Sequence, residues 1–173
     1  MGYDYRADPI LGDALAYWRH KRVGRAMPSR RDIDPTEMPK LLPYLQLIDA
    51  IGGRFRYRLV GTALADAYGK DFTGQYLEDF ADKQRSNFIT KVFASIWETG
   101  RPAFVRSQYV TTKSVNLIAN RLYMPLSDDD REVNMILGAL TFESGTTHLP
   151  GAWGSARLDS AASEVEAVNV DSD

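Results

Sequence analysis

Four carboxylates, Asp66, Asp71, Glu78 and Asp79, gather in the middle of this 173-residue chain. General acid–base catalysis needs paired groups of this kind converging on one pocket. Here they flank short helical stretches, where carboxylates are ordinarily solvated, and none stands on a strand beside a second candidate. No enzymatic chemistry is expected from them. The chain has no cysteine, which excludes disulfides, thiolate zinc sites, iron–sulfur clusters, a cysteine nucleophile and any chromophore held through sulfur. Its two histidines, His20 and His148, lie far apart in the least core-like segments, so no histidine metal cage is expected.

What remains is the chemistry of binding. Arg58, Arg106, Asn120 and Arg121 all stand on strand-like stretches. Arg106 shares a period-two face with Phe104, so it either points inward to receive a carboxylate or lies at a sheet edge in water. Asn120 alternates with Ile118 and Leu122 and is either an inward hydrogen-bonding group or a satisfied core amide. The run RFRYRLVGTALADAYGKDFTGQYLEDF, residues 54–80, collects Tyr68, Phe72, Tyr76 and Phe80 next to a strand, as ordinary packing or as the wall of a binding space. The segment Arg19–Arg31 holds six Lys or Arg and no acid. It reads either as a phosphate-binding patch or as a solvated helix end whose cations suit the helix dipole. Arg30, Asp32 and Asp34 follow, with Asp34 placed to cap a helix.

Positioning these residues requires the following elements. Leu11, Ala14, Leu15 and Trp18 form a helical apolar stripe, with Asp8–Pro9 opening the helix and Gly24 closing it. Asp34 and Glu37 are spaced as a capping box ahead of a short helix limited by Pro39 and Pro43. YLQLIDA and FRYRLV read as a hairpin of strands joined by IGGR, with Phe55, Tyr57 and Leu59 on one face and Arg56 and Arg58 on the other. TALADAY is about two helical turns ended by Gly69. The strongest helix runs through DKQRSNFITKVFASIWETGRP, where Phe88, Val92, Ile96 and Trp97 recur at helical spacing. Strands at 103–112, 115–127 and 133–144, joined by very short links, should form an antiparallel meander. The order predicts an α+β fold with helices on one face of an antiparallel sheet.

Three motifs go further: YWRHKRVGRAMPSRRDIDPTEMPKLLPYLQLID, RFRYRLVGTALADAYGKDFTG and RLYMPLSDDDREVNMILGALTF. Together, over residues 11 to 143, the sequence resembles a PAS-like family common in alphaproteobacteria, many of whose members are short proteins. The resemblance implies a PAS fold with a five-stranded antiparallel sheet and a roofed space beneath the helical insert. The expected pocket residues are Tyr57, Tyr68, Phe72, Phe88, Val92, Phe104, Arg106 and Asn120. No catalytic or metal residue is carried over. The cofactor stays unknown. A covalent flavin adduct lacks its cysteine, and haem lacks a pocket-facing axial histidine.

Division of the chain is expected at residues 1–27, an amphipathic helix and basic linker; 28–143, the PAS-like domain; and 144–173, where one arginine stands against five acids, a flexible acidic tail. Leu11, Leu15 and Trp18 would cover either the chain's own sheet or a partner's in a homodimer. No run is apolar enough for a membrane span, and a cytoplasmic protein is expected. The reading is a non-catalytic sensor or adaptor that binds a small molecule, signalling partners such as sensor histidine kinases, or both. The alternatives are a ligand-free dimerisation module and nucleotide or nucleic-acid binding through Arg19–Arg31.

Overall fold

The computed structural model describes residues 2–112, 114–143 and 151–170. Helix α1 (Leu11–Arg22) opens the chain, and single 3-10 turns at Arg30–Asp32, Pro35–Glu37 and Leu42–Tyr44 lead to the hairpin of β1 (Leu45–Ile51) and β2 (Arg54–Val60). A helical insert follows: α2 (Thr62–Tyr68), α3 (Leu77–Phe80) and α4 (Lys83–Thr99). Then come β3 (Ala103–Val110), β4 (Asn116–Leu126), β5 (Met135–Phe142), a turn of helix α5 (Ala152–Ser155) and β6 (Arg157–Ala167). The strands form one sheet in the order β2-β1-β5-β4-β3-β6, every neighbouring pair antiparallel.

Local chemistry explains most boundaries. Asp8 Oδ1 accepts from the backbone N–H groups of Ile10 and Leu11 at 2.8 and 2.9 Å, capping α1. Asp82 caps α4 by accepting from Gln84 and Arg85, and Gly100, at φ 64°, ends it. The capping box lies five residues earlier than Asp34–Glu37: Ser29 and Asp32 satisfy one another's backbone N–H groups. Asp34 caps only a single 3-10 turn through Thr36. Glu37 instead accepts from Tyr17 and pairs with Lys21.

The sheet is covered on both faces. The insert α2–α4 lies on what is here termed the inner face. Phe93, wholly buried, meets Phe55 and Tyr123 edge-on at 5.1 and 4.9 Å. On the outer face lie α1 and the residues before it. Leu11, Leu15 and Trp18 are buried there to 0–2% exposure, and Trp18 Nε1 donates to the Pro125 carbonyl of β4 at 2.8 Å. Tyr3 and Tyr5 stack on Phe104. The helix thus covers its own sheet. Leu11, Leu15 and Trp18, expected as dimer candidates, are spent on that contact and present no exposed surface to a second chain.

Two expectations are corrected. Residues 157–167 of the supposed flexible acidic tail form β6, paired along β3. The register shifts between Arg106 and Gln108, where Asp159 accepts from the N–H groups of Ala161 and Ala162. That turn breaks the period-two alternation, which hides the strand in the sequence. His148 lies outside the described residues. Second, Leu59 does not share a face with Phe55 and Tyr57. A bulge skips Arg58, so that Tyr57 faces Ile48 and Leu59 faces Leu47, leaving Leu59 at 37% exposure while Phe55 and Tyr57 are buried.

Candidate ligand site

Strand β4 carries a cation into the interior. Its inner-face residues Leu117, Ala119, Arg121 and Tyr123 are register partners of Tyr109, Ser107, Val105 and Ala103 on β3. Arg121 is 2% exposed. Its Nη2 donates to the Tyr109 hydroxyl at 2.8 Å, and the guanidinium lies 5.2 Å from the centre of the Tyr109 ring. Nη1 has no hydrogen-bond partner among the described residues. None of the ion pairs there involves Arg121.

A second guanidinium arrives from α4. Arg85 is 4% exposed and lies 4.7 Å from the centre of the same Tyr109 ring and 5.5 Å from that of Tyr68. Its Nη2 donates to the carbonyls of Trp153 at 2.9 Å and Ala156 at 2.6 Å. Its only carboxylate neighbour among the described residues is the half-exposed Asp82, one helical turn back at 3.7 Å. Trp153, fully buried, closes this end against Tyr109 and Phe142 at 5.3 and 4.8 Å.

Arg121, Arg85 and Tyr109 share an enclosed cavity of about 20 Å³ with Gln46, Tyr57, Tyr68, Phe72, Leu77, Ile89, Tyr123 and Leu140. That is room for one water-sized species. Gln46 Nε2 and Arg85 Nε join Arg121 Nη1 as buried donors without a hydrogen-bond partner among the described residues. The walls between them are aromatic and aliphatic, with Tyr57 and Tyr68 both edge-on to Phe72 at 4.9 and 5.2 Å.

Electrostatics single out one tyrosine. Burial pushes Tyr57, Tyr109 and Tyr123 above the ordinary tyrosine value. Burial pushes Tyr68 the same way, but the charges of Arg85 and Arg121 outweigh it, and the net shift is downward. Tyr57, Tyr109 and Tyr123, raised above the ordinary value, offer dipoles and ring faces at neutral pH, not negative charge. A guanidinium taken from water without a counter-charge costs several kcal/mol, of which cation–π contacts recover only part. The cavity therefore carries excess positive potential.

Of the expected pocket residues, Tyr57, Tyr68 and Phe72 line the cavity. Val92 is buried and Phe88 half-buried on α4, but Arg85 and Ile89 are the residues that this helix turns into the cavity. Phe104, Arg106 and Asn120 lie on the other side of the sheet, and their expected place in the pocket is corrected. Phe104 opposes Leu122 and Arg106 opposes Asn120 in the register, one residue out of phase with Arg121. Arg106 pairs there with Glu143 at 2.8 Å, and Asn120 donates to the same carboxylate at 3.4 Å. Tyr76 lies at the β2 edge under Arg54, 3.8 Å from its ring centre. The side chain of Phe80 lies outside the described residues. Arg85, Tyr109 and Gln46 escaped sequence reasoning, and Arg121 was named among the strand residues but given no place in the pocket. The available signal was an arginine within the otherwise apolar stretch RLYMPL, a charge that β4 has to bury.

A larger, open groove of about 500 Å³ lies on the outer face, lined by Arg30, Arg31, Arg56, Arg58, Asp49 and Asp128 among others. Size alone does not favour it. Asp49 pairs with Arg56 at 2.8 Å and with Arg58 at 3.6 Å, so part of its charge is answered locally. The Arg19–Arg31 cluster is also partly neutralised, through Lys21–Glu37 and Arg25–Asp32.

An antiparallel sheet with a helical insert between its second and third strands, and a small cavity beneath that insert, is the architecture of a PAS-type α+β fold. The PAS domain family matches residues 7–141, and the chain belongs to that family. Among solved structures, VqmA bound to DPO is similar at 12% identity and TM-score 0.51, covering 65% of this chain and 57% of that one. The match thus spans less than two thirds of VqmA. The Rhodobacter sphaeroides LOV protein matches at 12% identity and TM-score 0.47, covering 66% and 72%. The PAS domain of Bordetella pertussis BvgS matches at 16% identity and TM-score 0.48, covering 65% and 88%. Curated protein sequences returned no match. No described helix is long and apolar enough to cross a membrane.

Proposed function

We propose that this PAS domain is a non-catalytic sensor or adaptor that holds a small molecule in the Arg121 cavity and passes its occupancy to protein partners. The observation that carries this reading is Arg121 itself. A structural core would place an aliphatic side chain at this position, whereas a binding site makes use of a buried donor left without a partner. The small volume means that an occupant larger than a water must displace side chains. Arg85 is the natural one to move, because its Nη2 holds the Trp153 and Ala156 carbonyls. Drawing Arg85 toward an occupant releases α5 and, through it, β6 on the sheet edge. A ligand that binds the released state better shifts the population toward it. The exposed surface of β6 then differs between states, and a homodimer partner or a sensor histidine kinase would read the difference.

Native mass spectrometry of the purified protein, with solvent extraction of anything bound, tests this. A stoichiometric small molecule released on denaturation, and lost in a cavity-filling Leu140→Phe variant, is expected. A protein that carries nothing and binds nothing from a metabolite extract would be a dimerisation module with a filled core. The small cavity is the observation that favours this second reading.

A further inference from the structure

We infer that the occupant of the Arg121 cavity is a small carboxylic acid, its carboxylate held by Arg121 and Arg85 and its apolar body lying against Phe72, Leu77 and Ile89. This deepens the reading of the cavity as a ligand site and rests on it.

Three observations carry the inference. Two guanidinium groups, each at least nine-tenths buried, lean on the single Tyr109 ring. Arg121 has no carboxylate within ion-pair distance among the described residues, and that of Arg85 stands half-exposed at 3.7 Å. The donors without hydrogen-bond partners, Arg121 Nη1, Arg85 Nε and Gln46 Nε2, all belong to residues lining one enclosed space. Excess cationic charge with converging N–H groups selects an anion over a neutral or cationic guest. The number and setting of the donors then choose among anions. A carboxylate has two oxygens and meets one guanidinium through paired N–H bonds. A phosphate dianion carries more oxygens and charge than three N–H groups in a tight apolar enclosure can satisfy. A halide would use the charge and leave the apolar walls without a role. The downward shift of Tyr68 reports the same field from the protein's side.

The test is thermal unfolding of the full chain at constant ionic strength and pH, titrated with sodium acetate and sodium benzoate, with acetamide, benzamide, sodium chloride and sodium phosphate as comparisons. Specific binding to the folded state raises Tm in proportion to the logarithm of ligand concentration once the site saturates. The expected result is a rise following this logarithmic law with at least one of the two acids, none with its matched amide, and a smaller or absent effect of chloride and phosphate. Arg121→Met should abolish the rise, and Arg121→Lys should keep part of it. Should Arg121→Met fail to fold, the acid-against-amide difference in the wild-type chain decides alone. Equal responses to acid and amide, a larger response to phosphate, no response to either acid, or a full response in Arg121→Met would each overturn the inference. Extraction of a neutral molecule in the native mass spectrometry would leave the cavity a ligand site and defeat only its anionic character. An empty cavity there defeats both readings.

Discussion

The Arg121 guanidinium and the Tyr109 hydroxyl meet at 2.8 Å in the interior of the sheet's helix-covered face, and the bond joins a permanent cation to a neutral acceptor. Arg121 reaches Tyr109 diagonally across two strands, because its own register partner is Val105. A long charged side chain is thus laid along the inner surface of the sheet, where an aliphatic one would simply pack.

That arrangement predicts an unusual stability response. Arg121→Met keeps much of the volume and removes the buried charge. Replacing buried charges by apolar groups of similar size is often neutral or stabilising by about 1–4 kcal/mol. Urea denaturation of the ligand-free chain should show the variant unfolding at the same or a higher midpoint. A loss of more than about 2 kcal/mol would mean that Arg121 is held for packing and its bond to Tyr109, at a size well beyond one ordinary hydrogen bond.

Tyrosine ionisation gives a second measurement. Tyr68 titrates below the ordinary value of 10.0 because Arg85 and Arg121 outweigh its burial. A folded-state value below the unfolded one means that Tyr68 adds stability as pH rises through its folded value toward 10.0, and that this contribution is absent below that folded value. Tyr57, Tyr109 and Tyr123 act in the opposite sense. Their raised values favour the folded chain below 10.0, and this is lost as pH rises through their folded values. Near-ultraviolet titration should show the Tyr68 tyrosinate forming early and those of Tyr57, Tyr109 and Tyr123 late, together with those of Tyr3 and Tyr17, which are raised as well. The early step should vanish in Tyr68→Phe and move upward in Arg121→Met.

Trp153 ties the last described segment to the cavity. It is fully buried against Tyr109 and Phe142, and its carbonyl is one of the two that hold Arg85. Trp153→Ala should cost about 3–5 kcal/mol on unfolding, the usual range for a buried tryptophan. Hydrogen exchange should show the loss of protection concentrated in β6 and the β3 amides facing it. Uniform loss over all six strands would mean that α5 and β6 do not respond as a unit.

Gly61 offers a steric test independent of the cavity. A Cβ there would approach the Pro43 and Leu42 carbonyl oxygens at 2.3 and 2.5 Å, although the backbone, at φ −65°, would accept any residue. The clash is with backbone, so Gly61→Ala has to push the exit of β2 away from the turn before β1. A loss of about 1–3 kcal/mol is expected, the range for overpacking. Gly138→Ala should be milder, because the first atoms met are those of the Gln46 side chain, at 2.7 and 2.8 Å, which has rotatable bonds.

Much of the architecture was legible because it is local. The α1 stripe, the helical spacing of Phe88, Val92, Ile96 and Trp97 along α4 and the strand-like stretches of β1 to β5 each lie within a dozen or so residues. The three motifs brought the PAS resemblance before any coordinates. Two kinds of information were not local. Period two says which residues share a face of a strand but not which face looks inward, so Arg106 and Asn120 were assigned to the pocket and Arg121, one residue away, was left unassigned. Register also depends on bulges, and the one at Arg58 moved Leu59 out of the core.

By itself, then, the order of residues determined an antiparallel α+β domain of the PAS kind, the absence of thiol chemistry and the helix that shelters the outer face, since propensity, spacing and composition act over short range. Only the tertiary structure decided that Arg85 and Arg121, 36 residues apart in the numbering, lean on one ring, and that the acidic C-terminal segment closes over them as α5 and β6. These are long-range pairings. Their free energy comes from strands and helices meeting across the fold, and no window of sequence contains both partners.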